Sequence, residues 1–284
     1  MESNFLSRVQ RKIWTTLVGE ESWINRHGDF RARERYGLIS RPNYVYGMLR
    51  AADVAQYFGK QHVTVVEFGV ASGAGLMNMI DLAPVIENET GVKFRIVGFD
   101  TGSGLPPTDG YKDHPEIWTP GDFTTENRDK LLHELDGRAE MIWGDIHETI
   151  DSFTDTLDPS APLGFISLDV DIYSATTAAL RCLTGHAEKY SPAVSMYFDD
   201  VGFFFANRWA GELAAIAEFN DVHELRKMDR DRSLPGHRPT RTDGWYERMY
   251  VCHILDHAQR QKPRTRRELD IRSHAEFMLS RHLF

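Results

Sequence analysis

The chain has 284 residues, 41% of them hydrophobic and 26% charged, which is enough to bury a full core and is ordinary for globular material. Its formal net charge of -9 argues against a nucleic-acid or anionic-membrane partner, since both want a basic field. No apolar run reaches the roughly 18 residues of a membrane span, the start MESNFLSRVQRK lacks the apolar stretch of a signal peptide, and the two cysteines, Cys182 and Cys252, match no redox or zinc spacing, so a cytoplasmic protein is expected.

In chain order, Phe5 to Val18 carries apolar residues at near-helical spacing and reads as an appended helix, packed on a core or on a second copy of the chain. A polar and charged stretch from Gly19 to Arg35 breaks that pattern. Pro42 then sits in the first turn of a helix that runs to Phe58 and stops at Gly59. Its Tyr44 and Tyr46 fit core packing better than the roof of a cofactor site.

His62 to Phe68, HVTVVEF, is a β-branched strand. It leads through Gly69-Val-Ala-Ser-Gly73 into an apolar helix from Leu76 to Ile86. Strand, glycine turn and helix form the first half of a nucleotide-type fold, where glycines let the backbone approach a ligand. A dinucleotide site would want G-x-G-x-x-G with an acid about 20 residues on. Here Glu67 lies in the strand end and Gly69 and Gly73 are four apart, a looser pattern similar to S-adenosylmethionine sites, where the acid can hold the cationic amino-acid end of the cofactor. The next strand, Phe94 to Phe99, ends in Asp100, placed where a carboxylate accepts hydrogen bonds from a ribose diol. Thr101 to Phe123, rich in Gly, Pro and aromatics, reads as a functional lid. A helix over Thr124 to Leu135 and a strand over Ala139 to Trp143 follow, then the turn Gly144-Asp145-Ile146, with Asp145 read either as a cofactor contact or as a helix cap.

The strand Phe165 to Leu168 stops at Asp169 and Asp171, and about thirty residues on Val194 to Phe198 stops at Asp199 and Asp200. Ser174 to Tyr190, with alanines and leucines at helical spacing, is the crossover that makes these strands parallel. In such sheets ligands bind at the carboxyl ends of the strands. Four acids brought together there must share protons or hold a cation, and an all-oxygen set suits a hard divalent ion. The competing reading has Asp171 capping the following helix and Asp199 and Asp200 as turn residues.

Trp209 to Phe219 reads as a helix, and Val222 to Met228 and Trp245 to Leu255 as two closing strands, seven in all. Asp229 to Asp243 reads as a surface loop, and the Arg-rich tail with interleaved acids as a solvated helix or subunit-contact arm. The expectation is an α/β protein with a doubly wound, mostly parallel seven-stranded sheet. It comprises an N-terminal helical extension (1–60), a cofactor-binding catalytic domain (61–257) and a C-terminal helical tail (258–284).

Phe99-Asp100, Gly104-Leu105-Pro106-Pro107, the Gly144 to Thr149 turn, Leu168-Asp169-Val170-Asp171-Ile172-Tyr173-Ser174-Ala175-Thr176 and Phe198-Asp199-Asp200 occur in an order that resembles the macrocin O-methyltransferase family, over roughly residues 65–220. The chain departs from that pattern at Ser191-Pro192-Ala193, at a turn where the family has Pro-Gly-Gly, and at Thr101-Gly102-Ser103. The resemblance implies a metal-dependent class I methyltransferase acting on a sugar or other hydroxyl of a natural product. It implies that Asp169, Asp199 and Asp200 bind Mg²⁺ and that Asp171 is the general base. It also implies that Glu67, Gly69, Gly73, Asp100, Thr101, Gly144, Asp145, Ile146 and Asp169 surround S-adenosylmethionine. The expected partner is a small hydroxylated acceptor, with a homo-oligomer, a dimer, as the assembly. Two other classes stay open: a nucleotide-dependent oxidoreductase, which the glycine spacing disfavours, and a non-catalytic cofactor-binding subunit.

Overall fold

The structure, a computed structural model, describes residues 19–125, 127–234, 238–239 and 243–263. The helix expected over residues 5–18 and the tail from 264 lie outside the described residues, as does part of the loop over 229–243.

The sheet grows from two strands with no solvent-facing side. In β1 (His62–Phe68) every residue after the first is buried, and in β4 (Leu163–Leu168) all are, which is why both read as continuous apolar runs rather than alternations. With β2 (Lys93–Asp100), β3 (Glu140–Trp143), β5 (Tyr190–Phe198), β6 (Arg226–Arg230) and β7 (Met249–Ile254) they form one seven-stranded sheet in the order β3-β2-β1-β4-β5-β7-β6. Neighbours are parallel except around β7, which is antiparallel to both β5 and β6. The expected mostly parallel, doubly wound sheet is therefore the observed one.

Register decides where the chemistry falls. Phe68 pairs with both Phe99 and Leu168, and Leu168 pairs with Phe198, so four strands end level. The next residues are still tied to the edge: the Asp169 amide donates to the Phe68 carbonyl at 2.9 Å and the Asp199 amide to the Leu168 carbonyl at 3.1 Å.

Helices cover both faces. On one side α3 (Pro42–Tyr57) and α4 (Ala74–Thr90) enclose a core with Tyr44, Met48, Val65, Leu76 and Phe165. On the other, α6 (Ile146–Thr156), α7 (Tyr173–Leu180) and α8 (Gly211–Val222) pack on Phe68, Phe99, Ile166 and Phe198. Before α3, the polar stretch forms two short helices, α1 (Glu20–His27) and α2 (Phe30–Arg35), the second capped by Asp29, which accepts from the Ala32 amide. A short α5 (Arg128–Leu135) follows the lid, and α9 (Ala258–Gln261) ends the described chain. No helix among the described residues is long and apolar enough to cross a membrane.

Several boundaries differ from expectation for local reasons. The crossover helix stops at Leu180, not Tyr190, and continues as two 3-10 turns, Arg181–Leu183 and Ala187–Lys189. The Gly185 amide between them donates to the Tyr190 hydroxyl at 2.7 Å, which seats the start of β5. Cys182 consequently lies in a 3-10 turn; it and Cys252 are buried free thiols. The expected strand from Val222 begins only at Arg226, because α8 runs on and its Asn220 side chain pairs with both the amide and the carbonyl of Met228. Gly244–Arg248 is a 3-10 turn leading into β7. Ser191-Pro192-Ala193 lies inside β5 rather than in a turn, at the register break between Leu163 and Phe165 of β4, where a proline costs the ladder little.

Helix α3 lies flush on the sheet at Gly47. A Cβ there would stand 2.2 Å from the fully buried Phe165 ring. Overpacking a core of this kind costs about 1–3 kcal/mol, more than the roughly 0.5–1 kcal/mol that alanine gains over glycine inside a helix. Gly47→Ala is therefore expected to lower the unfolding free energy by about 1–2 kcal/mol, read as a reduced denaturant midpoint at unchanged slope; an unchanged or raised midpoint would show that α3 stands off the sheet.

Candidate active site

A cavity of about 380 Å³ opens at the level strand ends. One wall is Gly69, Asp100, Thr101, Asp145, Ile146 and His147; the other is Asp169, Asp171, Asp199 and Asp200. Leu105, Pro106, Trp118, Asp122 and Phe123 of the 101–123 segment close over it. That segment folds back on itself, with the Leu105 amide donating to the Asp122 carbonyl and the Gly121 amide to the Leu105 carbonyl, both at 2.8 Å.

Of the residues expected around a cofactor, Gly69, Asp100, Thr101, Asp145, Ile146 and Asp169 line this cavity, while Glu67, Gly73 and Gly144 do not. Gly69 has φ +86, and a Cβ on it would stand 1.8 Å from the Asp169 carbonyl, so the glycine turn passes directly against the end of β4. Gly73 caps α4 and packs against Leu131. The Gly144 amide donates to the Asp100 carbonyl at 3.0 Å and joins β3 to β2. The Asp100 carboxylate accepts from the Ala71 amide at 2.7 Å and the Gly102 amide at 2.5 Å, tying the glycine turn to the start of the lid. Its Oδ1 also accepts from the Thr125 hydroxyl at 3.3 Å, so Oδ2, with one donor, retains a further lone-pair direction for a diol. Asp145 caps α6 by accepting from the His147 amide at 2.8 Å, the capping alternative, and it also lines the cavity.

The four strand-end acids converge. One oxygen each from Asp169, Asp171 and Asp200 lie within 4.8 Å of one another. Asp199 lines the same cavity but is held to one side: its Oδ1 accepts from the Tyr197 hydroxyl at 2.5 Å and from Arg248 Nη1 at 2.7 Å. Asp171 does not cap the following helix. The N-cap of α7 is Ile172, with no side-chain cap, and the Ser174 amide is taken instead by Asp113 of the lid at 2.8 Å, whose other oxygen receives the Ser174 hydroxyl at 3.0 Å. Asp171 is thereby left buried, at φ +64, with no hydrogen-bond donor among the described residues. A non-glycine residue in that region is strained and marks a functional hypothesis.

Burial, and then the neighbouring Asp169 and Asp199 charges, push the Asp171 carboxyl up to about 7. Burial followed by Asp199 raises Asp169 to about 6. Asp200 is raised as well, by burial and then by the surrounding aspartates. Behind it lies Glu212, 1% exposed, whose Oε2 accepts the Asp200 amide at 2.8 Å and whose Oε1 has no partner; burial and Asp200 raise it well above the ordinary range. Such a cluster is incomplete without a cation or shared protons. The all-oxygen set, including the buried and unpartnered Asp200 Oδ2, fits a hard divalent ion.

Glu67 is 2% exposed. Its Oε1 accepts from the Tyr44 hydroxyl at 2.5 Å, and its Oε2 is buried without a partner. Helix α4 presses on it, since a Cβ on Gly75 would stand 1.8 Å from Oε1. Burial raises Glu67 to about 8 against the lowering effect of the Tyr44 hydrogen bond. A buried carboxylate with one free oxygen beside a glycine turn fits the ammonium end of S-adenosylmethionine. Tyr44 is thus a core residue, as expected, and also holds the acid. No local signal marks Asp113, Arg248 or Glu212 for these positions, because each arrives from a distant element.

No protein-family model and no curated protein matches the chain. Among solved structures, the chain is similar to CalS11, a calicheamicin methyltransferase, at 19% identity and a TM-score of 0.51, over 83% of this chain and 90% of that one. It is similar also to the O-methyltransferase NovP, at 17% identity and a TM-score of 0.47, over 83% and 88% of the two chains. The likeness to CalS11 establishes a shared class I methyltransferase fold.

The raised carboxyls fix the sign of a pH dependence. A group whose pKa is higher folded than unfolded stabilises the fold below the unfolded value, and that stability is lost as pH rises through the folded value. With Asp169, Asp171 and Glu67 raised to about 6, 7 and 8 from ordinary values near 4, the metal-free protein is expected to lose thermal stability steadily between about pH 4 and pH 8. Millimolar Mg²⁺ is expected to raise the melting temperature at pH 8 and have little effect at pH 5, where protons already neutralise the cluster. Calorimetric scans with chelator or Mg²⁺ check this; a melting temperature that rises with pH in chelator would contradict it.

Proposed function

We propose that the chain is an S-adenosylmethionine-dependent O-methyltransferase that acts on a hydroxyl of a small, sugar-like or vicinal-diol acceptor, with Mg²⁺ in the acidic cluster and Asp171 as general base. The observation that carries this reading is the sharing of one cavity by two half-sites: Gly69, Asp100 and Asp145 on one wall, and Asp169, Asp171 and Asp200 on the other. The order of motifs that resembles the macrocin O-methyltransferase family supports it, as does the likeness in fold to CalS11. A cytoplasmic setting and a homo-oligomer belong to the same proposal.

Methyl transfer from a sulfonium is an in-line displacement, so the chain has to hold an oxygen about 3 Å from the methyl carbon on the sulfur–carbon axis. The glycine turn, with the buried Glu67 carboxyl behind it, would hold the donor's amino-acid end, and Asp100 and Asp145 its nucleoside end, in the same cavity as the aspartates. Asp169 and Asp200, with the free Oδ2 of Asp199, would hold the ion, and Arg248 and Tyr197 keep Asp199 oriented. Mg²⁺, when bound, supplies Lewis acidity that lowers the pKa of a coordinated hydroxyl. Asp171 would receive the hydroxyl proton on its carboxylate, which faces the cavity with no hydrogen-bond donor among the described residues. Two adjacent oxygens chelate better than one, hence the diol preference. Trp118 and Phe123, which line the cavity, would shield the reacting atoms from water on that side.

The test is release of S-adenosylhomocysteine over a panel of diol, catechol and sugar acceptors with and without Mg²⁺. Asp171→Asn is expected to lower kcat by about 10²–10⁴-fold while cofactor affinity stays within about threefold, and Asp200→Asn to abolish the response to Mg²⁺. Intact turnover in Asp171→Asn would overturn the base assignment, and absence of S-adenosylmethionine binding by the wild type would overturn the whole reading.

A further inference from the structure

We propose that Arg41 is the receptor for the carboxylate of the cofactor's amino-acid end, forming with Glu67 a matched pair of opposite charges for a zwitterion. The inference rests on the S-adenosylmethionine reading and names a residue that the motif pattern does not include.

Arg41 precedes Pro42 at the start of α3, in the left-handed region at φ 50, ψ 64. A residue before proline is ordinarily driven to extended backbone, and a non-glycine residue at positive φ is strained as well. The Arg41 carbonyl accepts the Tyr44 and Val45 amides as an N-cap does, but its side chain makes no capping hydrogen bond. Nor does it form a hydrogen bond or ion pair with any described residue. What it does touch is Tyr44, with the guanidinium carbon 5.5 Å from the ring centroid. The hydroxyl of that same ring donates to Glu67 at 2.5 Å. One tyrosine therefore separates a guanidinium with free donors from a buried carboxyl with a free oxygen, Glu67 Oε2.

The electrostatics agree with this placement. Beyond the contact through Tyr44, the Arg41 charge acts on Glu67, lowering its carboxyl against the larger raising effect of burial. A lone anion entering there would meet Glu67 and Asp169; a lone cation would meet Arg41. A group carrying an ammonium and a carboxylate on one carbon satisfies both, with the ammonium toward Glu67 and the carboxylate toward the planar, fork-shaped guanidinium. Backbone strain at Arg41 is then the means of aiming an otherwise solvent-facing side chain at the ligand.

Calorimetry with two ligands separates this role from a general effect on the pocket. S-adenosylhomocysteine carries the amino-acid end, and 5′-methylthioadenosine has the same nucleoside without it. Arg41→Ala is expected to weaken S-adenosylhomocysteine by about ten- to a hundredfold and leave 5′-methylthioadenosine within about twofold, with Arg41→Lys in between. Unchanged S-adenosylhomocysteine binding in Arg41→Ala, or equal weakening of both ligands, would overturn the assignment. If Arg41→Ala does not fold, Arg41→Gln carries the same contrast. A wild type that binds neither ligand overturns the cofactor reading itself, and this inference with it.

Discussion

Four carboxylates at the ends of two adjacent parallel strands repel one another, and much of the surrounding structure answers that repulsion. Asp169 and Asp199 are still bound to the sheet edge through their amides, so they cannot drift apart. Arg248 offsets Asp199 from one side, while Asp171 and Asp200 are buried with raised pKa values and no cationic partner in contact. Within the protein alone this arrangement is electrostatically unfinished. Buried like charges persist where shared protons or a cation complete them, and an oxygen-only cluster suits the hard cation proposed above.

The fold supplies the coincidence of the two half-sites. Because β1, β2, β4 and β5 end in register, the glycine turn after β1, Asp100 at the end of β2 and the aspartates after β4 and β5 all open onto one edge. The 101–123 segment does more than line the cavity at that edge. Asp113 satisfies the second amide of α7, a task that Asp171 would perform in a simpler strand-to-helix turn. Delegating the cap to a residue about sixty positions away leaves the Asp171 carboxyl free to face the cavity.

What was legible in the sequence follows this division. The strand His62–Phe68 was readable to the residue because a β-branched run buried on both faces has no other good conformation, and the aspartates were readable because acids that terminate apolar runs need a reason. The crossover helix was overextended to Tyr190, since alanine and leucine spacing persists past the point where Gly185 turns the chain into β5. Contacts that depend on distant elements left no trace in local pattern. Glu212 reads as an ordinary helix-start acid until α8 is placed behind Asp200, and Tyr44 looks purely apolar until β1 brings Glu67 to its hydroxyl. The division of labour within the cluster was equally hidden, because the tight trio is Asp169, Asp171 and Asp200, with Asp199 drawn toward Arg248.

The central claim is that these acids hold one metal ion beside a sulfonium donor. Crystals grown with Mn²⁺ in place of Mg²⁺ and with S-adenosylhomocysteine, measured for anomalous scattering, test it most directly. The account predicts a single anomalous peak within about 2–2.5 Å of carboxylate oxygens from Asp169 and Asp200, with the thioether of the ligand on the Gly69 side of the same cavity. Cofactor density without that peak, or a peak elsewhere on the protein, would contradict it.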